Sequence, residues 1–212
     1  MKFEQLLEKL GDQPMFDFAM VCTLFGEKKE TVRTALSRLK RAGKILELKR
    51  GLYTFAEPYR RATLNAAYIA NMLYAPSYLS ERWALSWYSV IPEKTAWYTS
   101  ITTRPTRTFE NRFGVFRYRT IKPSLFHSYR IETILSQEVR VATPEKALLD
   151  LWYLEGGEWT AARMESFRFE PKAIDTALVI DFARASKIPR LCLLYTSPSP
   201  RDRTRARMPS YA

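Results

Sequence analysis

Apolar residues recur at helical spacing from the first turn of the chain. Phe3, Leu6, Leu7 and Leu10 share one side of a helix that the run 11–14, Gly-Asp-Gln-Pro, closes. A second helix starts after Asp17, whose carboxylate suits the free amide hydrogens of a first turn. Phe16 before that cap and Val21 after it fit a hydrophobic staple. The run 18–24 is short and largely apolar, as a buried middle helix would be, and 25–27 turns into a third helix. Over 28–41, Val32, Ala35, Leu36 and Leu39 fall on one side, at the i, i+3, i+4, i+7 spacing of a core-facing stripe. Arg33, Thr34, Ser37, Arg38 and Arg41 fall on the other, with Glu30 the only acid among them. Ala42-Gly43 ends this helix, because glycine accepts a left-handed cap. Two β-prone runs follow, 45–48 and 52–55, around a tight turn of Lys49, Arg50 and Gly51 with cationic side chains at its tip. Three helices and a basic hairpin in this order predict a winged helix-turn-helix over 1–57. The competing reading is a solvated helix face beside an ordinary hairpin.

Pro58 marks a boundary, and an α+β domain is expected over 58–190. A helix is predicted over 59–73, with Leu64, Ala67, Tyr68, Asn71 and Met72 along one side. Arg60 and Arg61 at its start would oppose the macrodipole, a conflict that a nearby phosphate would relieve. A short helix over 80–88 carries Trp83, Ala84 and Trp87. From 96 to 141 the pattern is that of strands: 97–103, a short 107–110, 115–121 and 137–142. Within 115–121, Phe116 and Tyr118 share one face and Arg117 and Arg119 the other, as in a half-buried antiparallel strand. Thr143 caps a helix with Pro144 in its first position and Glu145 beside the positive dipole end. Ala147, Leu148, Leu151 and Trp152 supply its apolar side, and 155–157 stops it. Weaker helical patterns follow at 160–165 and 173–185.

The tail from Leu191 has no apolar periodicity and is dominated by Ser-Pro and Arg-x-Arg pairs. It reads either as a basic arm or, preferably, as translated adapter or vector sequence. On the second reading the native protein is truncated near Arg190, with part of its last helix missing, and 191–212 is excluded from fold reasoning.

Charge narrows the range of partners. The chain of 212 residues carries a formal charge of +12. The tail, with four arginines and one aspartate, accounts for +3, so the remainder holds +9. Such an excess calls for an anionic partner, with nucleic acid the default. No apolar span of about 20 residues is present to favour a membrane, and no signal-peptide core opens the chain. Two cysteines, Cys22 and Cys192, make neither a disulfide framework nor a zinc site, which fits a reducing cytoplasm.

No catalytic constellation emerges. His127 is the single histidine, and Ser124 or Ser128 beside it has no evident orienting acid or oxyanion hole. Glu145, Lys146 and Asp150 resemble the acid-and-lysine sets of metal-dependent nucleases. Glu145 and Lys146 nevertheless diverge by about 100° on a helix, and capping explains Glu145 better. No phosphate-cradling loop or dinucleotide fingerprint occurs. The expectation is therefore no enzyme, no metal and no cofactor. The second-domain aromatics read as core, although with Arg104, Arg107, Arg112, Arg117, Arg119 and Lys122 they could grip single-stranded nucleic acid. Those arginines could also touch duplex phosphates that flank a small winged helix.

Three segments carry a family resemblance: RGLYTF at 50–55, SITTRPTRTFENRFGVFRYRTIKPSLF at 100–126 and, most specifically, VATPEKALLDLWYL at 141–154. They resemble the AbiEi family, antitoxins of type IV, abortive-infection toxin–antitoxin systems, over about 3–190. The resemblance implies a winged helix that represses its own operon by binding double-stranded promoter DNA. It also implies a C-terminal domain that counters a nucleotidyltransferase-like toxin. By motif position Lys29, Arg33, Thr34, Ser37 and Arg38 correspond to the recognition helix, and Lys49 and Arg50 to the wing. No residue is carried over for neutralisation, and the tail departs from the family, where a further helix is expected. Arg33 is the foremost candidate for a guanine contact, while Arg38, Arg41, Lys49 and Arg50 are expected on phosphates. A protein-interaction antitoxin, or a general winged-helix regulator without a toxin partner, is the alternative. Oligomeric state is left open.

Overall fold

The computed structural model describes residues 1–156, 163, 166–170, 173–186 and 188. The predicted 160–165 helix falls largely, and the 191–212 tail entirely, outside them. The fold is mixed α+β, with two sheets and a hydrophobic core on each.

The first core is built by α1 (Phe3–Leu10), β1 (Phe16–Asp17), α2 (Phe18–Phe25), α3 (Lys29–Arg41), β2 (Ile45–Lys49) and β3 (Leu52–Phe55). The three strands lie in the order β1-β3-β2, all antiparallel. Phe3, Leu6, Leu10, Phe16, Val21, Val32, Leu36, Ile45 and Phe55 pack together between helices and sheet. Asp17 caps α2 as its sequence position predicts, accepting the Met20 N–H at 2.7 Å, and Phe16 and Val21 are both buried. The expectation of a buried α2 is corrected. Val21 is its only buried residue, and Met20 and Leu24 stay 39% and 40% exposed. The helix is apolar all round but meets the rest of the fold along one side only.

The second core belongs to a six-stranded mixed sheet in the order β6-β7-β5-β4-β9-β8. Its strands are β4 (Ser77–Leu79), β5 (Trp97–Thr102), β6 (Arg107–Asn111), β7 (Gly114–Thr120), β8 (Tyr129–Ile134) and β9 (Gln137–Ala142). The helices are α4 (Ala66–Leu73), α5 (Glu81–Trp87), α6 (Pro144–Leu154) and α7 (Thr176–Ser186). Strand β7 pairs antiparallel with β6 but parallel with β5, so the antiparallel reading of 115–121 applies to one edge only. Its predicted alternation is present. Phe116 and Tyr118 are buried, and the Tyr118 hydroxyl donates to the Ala70 carbonyl of α4 at 2.5 Å. Arg119 turns the other way and is not free. It donates to Glu81 Oε2 and to the Leu154 carbonyl, each at 2.6 Å.

The helix expected over 59–73 is shorter than predicted. Residues Glu57–Tyr59 form a 3-10 turn on Pro58, and α4 starts only at Ala66. Asn65 sets that start by accepting the Tyr68 N–H at 2.7 Å, while its amide donates to the Ile134 carbonyl and Gln137 Oε1. Arg60 and Arg61 therefore precede the helix and do not oppose its dipole. Arg61 lies 3.7 Å from Asp12, and Arg60 lies over the Phe113 ring.

Helix α6 begins as predicted, with the Thr143 hydroxyl accepting from Lys146 N–H and Pro144 in the first turn. Against expectation, its polar residues are as buried as its apolar ones, Glu145, Lys146 and Asp150 included. No described helix is long and apolar enough to cross a membrane.

Candidate nucleic-acid interface

The basic face of α3 follows from how that helix is held. Val32, Ala35 and Leu36 are buried and Leu39 is half-buried, which fixes the rotation of the helix. Lys29, Arg33, Thr34, Arg38 and Arg41 are exposed, and Ser37 is half-exposed. The helix carries five basic side chains and one acid. Glu30 sits in the first turn and Arg38, Lys40 and Arg41 in the last, each at the end its charge favours. Lys44 N–H reaches the Leu39 carbonyl and Gly43 N–H the Lys40 carbonyl, both at 3.0 Å, so these two carbonyls of the last turn are satisfied by the backbone.

The cations differ in how free they are. Arg33 is 4.0 Å from Glu30, a wide, exposed pair, and lies over the Phe18 ring at 5.7 Å. Its side chain is 70% exposed. Arg41 leans on Ser37 Oγ at 3.5 Å. Lys40 is bound to Glu47 of β2 at 2.5 Å, which ties the helix to the hairpin. Among the described residues Lys29, Arg38 and Arg50 have no ion pair.

The hairpin departs from the expectation of a cationic tip. Gly51, at φ +80°, turns the chain, and its carbonyl accepts the Phe18 N–H at 2.9 Å. Arg50 is exposed, whereas Lys49 is half-buried and its ammonium donates to the Leu73 carbonyl of α4 at 2.5 Å. Asn111 of β6 donates to the Leu48 carbonyl, and Met15, Leu48 and Leu52 pack into the second core. The inner side of the hairpin is thus a docking surface for the larger sheet.

That docking brings together residues far apart in sequence. Burial pushes the Lys49 ammonium below the usual lysine range, and the nearby Arg104 and Arg107 push it further the same way. Arg104 stacks on Tyr74 at 4.2 Å and donates to the Ala75 carbonyl, while Arg107 lies over Phe109. Both arginines are exposed. The sequence shows them as basic but does not show that they stand beside the hairpin, because only the packing of β6 near β2 puts them there. Arg117, by contrast, lies 3.7 Å over the Trp97 ring.

The residues weighed for chemistry lie elsewhere. Lys146 and Asp150 form a buried ion pair, and Asp150 Oδ2 also accepts from the Tyr78 hydroxyl at 3.0 Å and from Ser80 Oγ at 2.8 Å. Burial pushes the Asp150 carboxyl up, against the ammonium and two hydroxyls that favour its ionised form. Glu145 accepts the Asp175 N–H at 3.2 Å, one residue before α7, so it bridges two helices. His127 Nδ1 is 2.7 Å from Ser128 Oγ, its neighbour in sequence. Burial lowers its pKa, and Lys146 adds to that. His127, Lys146 and Asp150 line one cavity of about 20 Å³, large enough for one water. Among the described residues no three of His, Cys, Asp and Glu gather as metal ligands.

No protein-family model matches the chain, and no curated protein matches it.

Proposed function

We propose that the chain is a DNA-binding antitoxin that represses its own type IV toxin–antitoxin operon, with the N-terminal unit a winged helix-turn-helix. The observation that carries the DNA half is the outward face of α3. Lys29, Arg33, Thr34, Arg38 and Arg41 are all exposed on a helix whose opposite face is locked into a core. The element order α1-β1-α2-α3-β2-β3 supports the winged-helix reading. A helix held in this way enters a major groove with its side chains free to meet base edges. Arg33 serves the guanine contact, being the most central of the exposed cations. Arg38, Arg41 and Arg50 serve phosphates, with Arg104 and Arg107 extending the same surface past the hairpin.

The antitoxin half rests on the resemblance of 141–154 to the AbiEi family. Those residues form the end of β9 and all of α6, and most of them are buried. Their role is to build the second core, and the surface that counters a nucleotidyltransferase-like toxin is carried by its neighbours.

Gel shifts with the DNA upstream of the chain's own gene test the repressor. Promoter DNA should bind more tightly than a scrambled duplex, and Arg33→Ala should weaken it by about 1–3 kcal/mol at a single base pair. Equal affinity for both duplexes overturns the specific-repressor reading. Growth rescue on co-expression with the toxin encoded beside it tests the second half.

A further inference from the structure

The six-stranded sheet ends on an open strand. β8 is outermost in the strand order and is paired on one side only, by β9. The opposite edge, β6, is different: it lies beside β2, and its Asn111 reaches the Leu48 carbonyl. On β8, Ile131 is 61% exposed and Tyr129 38%, so large apolar side chains mark the free edge. An uncovered apolar edge strand is a template for another strand.

The direction of its backbone groups follows from the hairpin. Leu135 and Ser136, both at positive φ, make a two-residue turn closed by the pair Ile134–Gln137. In such a turn the closing pair exchanges both hydrogen bonds. Alternation puts the pairs Glu132–Val139 and Arg130–Val141 in the same class. The N–H and C=O groups of Tyr129, Ile131 and Thr133 are then directed away from the sheet. Among the described residues no backbone bond to another element uses them.

The charges select what can pair there. The strand reads Tyr-Arg-Ile-Glu-Thr from 129 to 133. Set a second copy antiparallel to it, with a two-fold axis through Ile131. Ile131 meets its counterpart, Tyr129 meets Thr133, and Arg130 of each copy faces Glu132 of the other. The outward-directed positions 129, 131 and 133 map onto one another, so each such pair exchanges two hydrogen bonds. The neighbouring registers with the same hydrogen-bond parity centre on Arg130 or on Glu132. Each would place like charges opposite one another, which is destabilising. Within one copy Arg130 Nε lies 2.5 Å from Glu132 Oε1, and both touch the Tyr88 hydroxyl, so the two side chains share one face.

We propose that β8 is a self-association edge, pairing antiparallel with β8 of a second copy about a two-fold axis at Ile131 and joining the two sheets. The inference is independent of the DNA-binding reading.

Sedimentation velocity on the full chain across a concentration series tests it. The wild-type chain should shift from monomer to dimer as concentration rises. Arg130→Glu and Glu132→Arg should each weaken the dimer roughly tenfold or more, since two opposite-charge pairs become like-charge pairs. An equimolar mixture of the two variants should recover a heterodimer, because each supplies the charges the other lacks. Ile131→Lys should also give monomer, and circular dichroism should show all three variants folded. A wild-type chain that stays monomeric at every concentration overturns the proposal. So does a dimer indifferent to all three changes, or a mixture that fails to recover association.

Discussion

The ammonium of Lys49, at the end of β2, is hydrogen-bonded at 2.5 Å to the main-chain carbonyl of Leu73, the last residue of α4. A helix C-terminus carries unsatisfied carbonyls and a partial negative charge, so a lysine there is well placed. The residue that sequence reading assigns to DNA phosphate also links the hairpin to α4. Lys49→Met keeps the aliphatic stem and removes the charge. It should lower unfolding free energy by about 1–2 kcal/mol in urea and leave the salt dependence of DNA binding unchanged. Arg50→Ala should do the reverse, reducing the salt slope by about one with little loss of stability. A slope that falls equally for both would place Lys49 on the proposed DNA surface.

The contrast between Lys49 and Arg33 shows where sequence reading works. Periodicity fixes which side of α3 is buried, so the exposure of Arg33 is legible from Val32, Ala35 and Leu36 alone. A hairpin tip has no such internal reference, because its surroundings depend on what packs against it. The same limit explains β4 and β8, which with the two-residue β1 are the strands that no pattern predicts. β4 is three residues long and buried on both faces, so it shows no alternation. β8 alternates charged and apolar residues but is exposed on most of its length, which reads as a loop. The caps at Asp17 and Thr143 are legible because their partners lie three residues away.

The pair Lys146–Asp150 spans one turn of α6, and the sequence shows that spacing but not its burial. Asp150→Ala would leave the Lys146 ammonium buried without its carboxylate and strand the hydroxyls of Tyr78 and Ser80. The expected loss is about 3–5 kcal/mol. Replacing both ions, with Lys146→Met and Asp150→Leu, should cost clearly less than the single change, since no charge is left behind. Denaturant unfolding of the single and double variants decides it. A double variant at least as unstable as Asp150→Ala would mean that the ion pair is itself stabilising.

Gly43 ends α3 at φ +67°, and a Cβ built there would meet nothing within 4 Å. Only the left-handed backbone opposes a side chain at this position. Gly43→Ala should therefore destabilise by about 1–2 kcal/mol, and Gly43→Asn by less, because asparagine tolerates that conformation. Thermal unfolding of the two variants checks the order. An alanine variant as stable as wild type would show that the cap is not what sets the end of α3.

Glu81 opens α5 with φ +52°, a left-handed conformation for a residue with a side chain. Its Oε2 accepts from Arg119 at 2.6 Å, while Oε1 is buried without a hydrogen bond among the described residues. Burial pushes its carboxyl up to about 7 from an ordinary 4.5, with Arg119 pulling the other way. The unfolded chain loses this proton near pH 4.5, whereas the folded chain holds it to about 7. Between those values the folded state binds more protons, so its stability falls as pH rises through the window and levels off above it. The full effect is about 3 kcal/mol, reached near pH 8. Glu81→Gln cannot titrate, so the difference in stability between wild type and variant should move in favour of the variant by about 2–3 kcal/mol from pH 5 to pH 8. Urea unfolding of both proteins at the two pH values measures it. Parallel pH dependence in the two would place the carboxyl near its ordinary value and remove Glu81 as a source of pH sensitivity in this fold.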